Sequence, residues 1–206
     1  SGVKGIPNDG MNVKMARKSK DAAHGLWLML KINAALAQGK RLRDFAQNTF
    51  CVPPDADMKN YLVAHICFLE AGRREDSGDF AGCVAIYNSI DLECLPGFYR
   101  NSALLDVLYY AIVHQPDAAL AEEIMARKGI AKFLARTKTP AMLRISAAYA
   151  FYRKGNRTEG RKQLEKAIKV NNSTPNRGIA AMEADQLALL EAKFAEEEAQ
   201  NDHPWH

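Results

Sequence analysis

The residues that could do chemistry in this chain are few and scattered. Its five histidines are His24, His65, His114, His203 and His206. No two of them stand one helical turn apart with a glutamate between, the spacing that presents two imidazoles to zinc and a carboxylate to its water. His203 and His206 are close enough to share a metal, but with Trp205 they belong to residues 201–206, which read as a frayed tail. The cysteines Cys51, Cys67, Cys83 and Cys94 include no close pair of the kind that holds zinc or forms a redox dithiol. Cys67 and Cys83 fall on apolar helical faces, where a free thiol serves as a small hydrophobe. Unpaired thiols suit a reducing compartment, most simply the cytoplasm. No serine sits in a nucleophile-elbow sequence, no cysteine has a recognisable histidine partner, and no glycine-rich phosphate loop occurs. The pair Glu122-Glu123 reads as an exposed helix face. These residues predict a chain with no catalysis and no cofactor of its own.

The elements around them are helical throughout. A short helix over 11–18, capped by Asn8 or Asp9, is followed by one that Asp21 caps, running through Trp27, Leu30 and Leu36 to Gly39. Residues 42–50 read as an irregular turn or short helix, and Pro53-Pro54 breaks the chain. Asp57 caps a helix to about residue 73, and 79–90 folds back on it. After the Pro96-Gly97 break, residues 98–114 form the central apolar helix, with Leu104, Leu105, Leu108 and Ile112 at helical spacing. Asp117 opens a helix that Gly129 ends, and 130–136 adds a further turn. Thr139-Pro140 opens the next hairpin in the favoured cap-then-proline order. Thr174-Pro175 opens a long last helix to about residue 200. No alternating strand pattern is present, so the fold class is all-α.

The clearest stretch is 140–171. Leu143, Ala147 and Phe151 mark the inner face of a first helix, Gly155 can take the left-handed conformation that ends it, and Leu164, Ala167 and Ile168 mark the second. Small residues at Ala147, Ala148 and Gly160 let the two backbones approach. The spacing Phe151, Gly155, Gly160, Leu164, Ala167 resembles a tetratricopeptide repeat. A second copy turns at Gly78, with Phe80, Cys83, Tyr87 and Ile90. A third, more degenerate, turns at Gln115 and keeps Ile124, but has Leu120 where a small residue belongs and Arg127 where alanine belongs. The turns are 37 and 40 residues apart, wider than the usual period of about 34, and the leading Trp and closing Pro of the pattern are missing. The resemblance implies an α–α superhelix of degenerate hairpins that binds a protein or peptide along its concave face. In that family the first helix of each pair lines the groove. The matching polar or aromatic side chains here are Tyr61, His65, Tyr109, Arg144 and Tyr152, although core packing explains each aromatic among them equally well.

Composition narrows the partners. An apolar fraction of 48% is that of a chain able to bury a core, and the net charge of +4 is mild. Basic residues cluster at 14–20 and 40–43 without the interleaved aromatics of a single-strand binding surface, so nucleic acid is not expected. No apolar run reaches the length of a membrane span; residues 26–36 come nearest and are interrupted by Lys31 and Asn33. Ser1-Gly2 in place of an initiator Met reads as a cloning remnant, which predicts a piece cut from a longer protein.

A second resemblance concerns that longer protein. Ile6-Pro7-Asn8-Asp9-Gly10-Met11-Asn12 and the later Gly39-Lys40-Arg41-Leu42-Arg43-Asp44 are similar to the region just past the membrane core of bacterial site-2-type zinc peptidases. In that family an Asp-Gly motif supplies a zinc ligand, which here implies Asp9, and two histidines come from an upstream motif that this chain lacks. Asp9 could therefore bind catalytic zinc only in an intact parent; within this chain Asn8-Asp9-Gly10 reads as a turn that caps the first helix. The expected organisation is an N-terminal segment over 1–20, ending a membrane domain or forming a short helix, a helical-repeat domain over 21–200 and a tail over 201–206. The expected function is a non-catalytic binding domain, tethered to a membrane through the parent peptidase and recruiting its substrate or regulator. A free-standing cytoplasmic scaffold, or a homodimer that fills its own groove, is the alternative that these residues leave open.

Overall fold

Most helices of this chain start where a side chain can take up the free N–H groups of the first turn. The computed structural model describes residues 9–202, and among these it contains ten α-helices, short 3₁₀ turns and no strand. The helices are α1 (Asp9–Ala16), α2 (Lys20–Ala37), α3 (Tyr61–Asp76), α4 (Phe80–Asn88), α5 (Gly97–Val113), α6 (Ala118–Ala126), α7 (Ile130–Arg136), α8 (Pro140–Ala148), α9 (Arg157–Asn171) and α10 (Arg177–Asp202). None is long and apolar enough to cross a membrane. The chain divides into two compact units. The first holds residues up to Val107 with Asn176–Gly178, and the second holds Leu108–Pro175 and the chain from Ile179 onward.

In the first unit α2 is capped by Ser19, whose Oγ accepts the Ala22 N–H at 3.0 Å. The expected cap, Asp21, lies inside the first turn, where its charge favours the positive end of the helix without closing it. Ala22, Gly25, Leu28, Ile32 and Leu36 form the buried face of α2. Gly25 is the point of closest approach to α3: a Cβ there would stand 2.2 Å from the Leu62 carbonyl oxygen. Helix α3 starts at Asn60 rather than Asp57. Asn60 Oδ1 accepts the Leu62 N–H, and its Nδ2 donates to the Met15 carbonyl at 3.2 Å, tying α1 to the start of α3. Tyr61 repeats the tie by donating its hydroxyl to Asn12 Oδ1 at 2.7 Å. Helix α1 thus packs within the first unit, which continues across residue 20. Residues 42–50, expected as one turn or helix, form two 3₁₀ turns, Leu42–Asp44 and Gln47–Phe50.

Helices α3 and α4 form a hairpin closed at Gly78, which has φ of 82°, and Asp79 caps α4 through the Gly82 N–H. Left-handed backbone of this kind favours glycine because no Cβ meets the following carbonyl. The second unit carries the same device at Gly155, with φ of 63°. There α8 continues into a π-helical turn, Tyr149–Arg153, in which the Lys154 N–H reaches back to the Tyr149 carbonyl. The extra residue of a π turn is not legible from a 3.6-residue period. Helix α9 then returns along α8, with Gly160 against Phe151 and Ala147: a Cβ on Gly160 would lie 2.8 Å from Phe151 Cβ. Thr139 and Pro140 open α8 as expected, whereas α10 begins at Arg177, two residues after the Pro175 break.

These close approaches make a direct prediction. Gly25→Ala and Gly160→Ala force helices apart in otherwise filled interiors, and each lowers stability by about 1–3 kcal/mol. Urea denaturation measures this, with Ala23→Gly on the exposed side of α2 as the comparison for helix propensity alone.

Candidate functional site: a cleft in the second unit

One depression of the second unit is built from the end of α5, the turn that follows it, the π turn and the last part of α10. It is a cleft of about 430 Å³. Ile112, Val113 and Pro116 supply apolar wall, Tyr152 and Arg153 come from the π turn, and Lys193, Glu196 and Glu197 come from α10. Three features hold these groups in place. Phe151 stacks on Phe194 with ring centroids 3.8 Å apart and planes within 8°. Arg161 donates to Glu198 through Nε at 3.1 Å, which binds α9 to the end of α10. Arg153 donates to Glu122 at 2.9 Å, so its guanidinium is already engaged at the cleft rim.

Tyr152 is half-buried, and its hydroxyl is pushed up to about 12. Burial is the first cause, followed by the carboxylate of Glu197, the Tyr109 hydroxyl and Glu196, with Arg161 acting in the opposite sense. A phenol so placed stays protonated and offers an O–H to a ligand acceptor; it is not poised as a base or nucleophile. Lys193 lies near enough to His114 to help lower it: His114 falls to about 4, mainly by burial, then through Lys193 and Arg144. A neutral phenol, a lysine and two glutamates beside an apolar wall can bind the donors, acceptors and side chains of a peptide. Among the described residues no group of three or more His, Cys, Asp or Glu side chains is arranged to hold a metal.

The five residues expected to line a groove separate into two groups. In the first unit, Tyr61 and His65 gather round Tyr99, at centroid distances of 5.9 and 6.0 Å. Tyr61 is 3% exposed. The two ring nitrogens of His65 are buried without a hydrogen-bond partner, and burial lowers its pKa to about 4. In the second unit Arg144 lies over the Tyr109 ring at 4.2 Å. Both are interior side chains, and Arg144 donates to Glu183 through Nε at 2.6 Å. Tyr61, Tyr109 and Arg144 are thus core groups rather than an accessible surface, because their bulk is buried inside their own units. Of the five, Tyr152 is the one that reaches the cleft. Asp9 is the exposed first residue of α1, while Ile6, Pro7 and Asn8 of the same motif, with His203 and His206, lie outside the described residues.

Sequence reasoning passed over Glu183 and Lys193. A usable signal existed for the first: Glu183 precedes Leu187, Leu190 and Phe194 at four-, seven- and eleven-residue steps, so it stands on the apolar seam of α10 and needs a buried partner. Lys193 carries no such mark, since its neighbours in the cleft come from segments distant in sequence.

Compared with protein-family models, with curated proteins and with solved structures, the chain finds no match.

Two outcomes follow from the buried groups. Arg144→Met alone strands the Glu183 carboxylate and destabilises by about 3–5 kcal/mol, whereas Arg144→Met with Glu183→Leu recovers most of that loss; urea denaturation of the two variants provides the comparison. His65 and His114 stay neutral in the fold down to about pH 4, while an unfolded histidine takes up its proton near pH 6.5. Between those values the unfolded chain binds more protons, so stability falls as pH drops from about 6.5 toward 4. His65→Phe, which keeps a ring against Tyr99, should flatten that slope in denaturation curves recorded across the window.

Proposed function

We propose that this chain is a non-catalytic binding module of tetratricopeptide-like hairpins that takes a short peptide or protein segment in the cleft beside Tyr152. The cleft is the observation that supports the reading. It has room for a few side chains, an apolar wall, a phenol held in its donor form, and both signs of charge at its rim. The two hairpins that turn at Gly78 and Gly155 favour the same class, since each turns through a left-handed glycine and sets a small residue five positions later, Cys83 in one and Gly160 in the other. A finer proposal rests on the resemblance around Asp9 and Gly39: the module is the extension of a site-2-type membrane zinc peptidase and recruits that enzyme's substrate or regulator, with Asp9 serving zinc in the parent.

Selection of a random peptide library against the whole chain tests the module reading. Peptides should be enriched whose binding weakens about threefold to tenfold on Tyr152→Phe and roughly tenfold on Lys193→Glu. Failure to enrich any peptide, or binding indifferent to both substitutions, removes the cleft as the docking site. The parentage has a separate test in the genomic frame upstream of Val3, where several apolar spans and a His-Glu-x-x-His motif are expected; a start codon there without them ends that proposal.

A further inference from the structure

Helix α2 is apolar on two faces, and one of them is turned away from its unit. The buried face holds Leu28, Ile32 and Leu36, while Trp27 and Leu30 are 52% and 61% exposed. Ala23 and Ala34 are exposed with them, at four- and seven-residue offsets from Trp27. Large apolar side chains left in water are unusual when they are contiguous, and such a patch marks a surface meant to be covered. The charges beside the patch indicate what covers it. On a helix of 100° per residue, Lys20, Trp27 and Lys31 fall within about 40° of one another. Lys31 Nζ lies 4.5 Å from the Trp27 ring centre, and the His24 ring stacks with it at 5.5 Å.

The surrounding chain has the same sign. Between positions 9 and 40, Lys14, Arg17, Lys18, Lys20, Lys31 and Lys40 are met by the carboxylates of Asp9 and Asp21 alone. Helix α1, packed beside α2, adds exposed Met11, with Lys14 one turn further along the same helix. Pairing of α2 with α2 of a second copy would crowd the lysines of the two outer faces, Lys20 and Lys31, together, which is repulsive.

We propose that the outer face of α2 docks on an anionic bilayer surface, with Trp27 and Leu30 entering the headgroup boundary and Lys20 and Lys31 meeting lipid phosphates. Trp is suited to that depth because its ring is apolar and its N–H is not. Lysine stems can lie along the apolar layer while the ammonium groups stay with the headgroups. The helix lies flat, since its inner face is held against α3 through Gly25 and its 18 residues form one outer strip about 27 Å long. This docking is independent of the peptide cleft and stands or falls without it.

The test uses the whole chain carrying Trp205→Phe, so that Trp27 alone reports, with vesicles of phosphatidylcholine alone or mixed with phosphatidylglycerol. Mixed vesicles should shift Trp27 emission to the blue and co-sediment the chain, and binding should weaken as salt rises. Lys20→Glu with Lys31→Glu should lower partitioning roughly tenfold or more, and Leu30→Ser should lower it about tenfold. Both variants alter exposed side chains, and circular dichroism checks that the helices persist. Three outcomes would overturn the proposal: no binding to mixed vesicles, equal binding to neutral ones, or a blue shift that grows with protein concentration in the absence of vesicles. The last would assign the face to a second copy.

Discussion

The second unit is organised by one buried charge. Arg144 is the single charged side chain of α8 and is 2% exposed, so its guanidinium must find a partner inside the protein. Glu183 of α10 provides it, through Nε at 2.6 Å and a longer contact from Nη2 at 3.4 Å, while the Tyr109 ring covers the flat face of the cation. A pair with this geometry tolerates little sliding, so it sets the register of α10 on α8. Eleven residues beyond Glu183, Phe194 then meets Phe151 face to face. The same register carries Lys193, Glu196 and Glu197 opposite Tyr152. The cleft is a consequence of where one arginine had to be paired.

The first unit uses the same principle with the signs exchanged. Asp76 at the end of α3 is buried, and its carboxylate accepts from the Arg41 guanidinium and from the Arg43 backbone N–H at 3.0 Å. The chain between α2 and α3 is thereby fastened to the far end of α3, while Asn60 and Tyr61 fasten α1 to its beginning. With both ends of α3 tied, α2 is pressed onto its first turn through Gly25, and the remaining side of α2 is left to face outward with Trp27 and Leu30. An exposed tryptophan in this unit is thus the complement of how tightly the opposite side is packed.

Burial drives His65, His114 and Tyr152 toward their neutral forms, the histidines down and the tyrosine up, whereas the Arg161 guanidinium holds the Glu198 carboxyl below its usual range. Neutral donors and acceptors can hydrogen-bond a partner. The readings developed above, a peptide cleft and a lipid-facing helix, draw on shape, apolar area and charge sign, the properties that the two units organise most definitely.

Local physics was legible in the sequence wherever it acts over a few residues. The apolar periods of 140–171, the left-handed turns at Gly78 and Gly155, the Thr139-Pro140 start and the close-packing role of Gly160 are each set by neighbours within a turn or two. Even there the competition among nearby caps was not legible: Ser19 rather than Asp21, and Asn60 rather than Asp57, close their helices, because a cap is selected by where the helix is pinned by other elements. The π turn at Tyr149–Arg153 also escaped, since one inserted residue leaves the local pattern apolar. What only the tertiary structure decided is which polar and aromatic residues are inside. Tyr61, Tyr109 and Arg144 look in sequence like groove residues and are core residues, because their partners, Asn12, Glu183 and the rings around them, come from distant segments. Sequence periodicity specifies that a helix has two faces; which of them meets water is settled only when the other helices arrive.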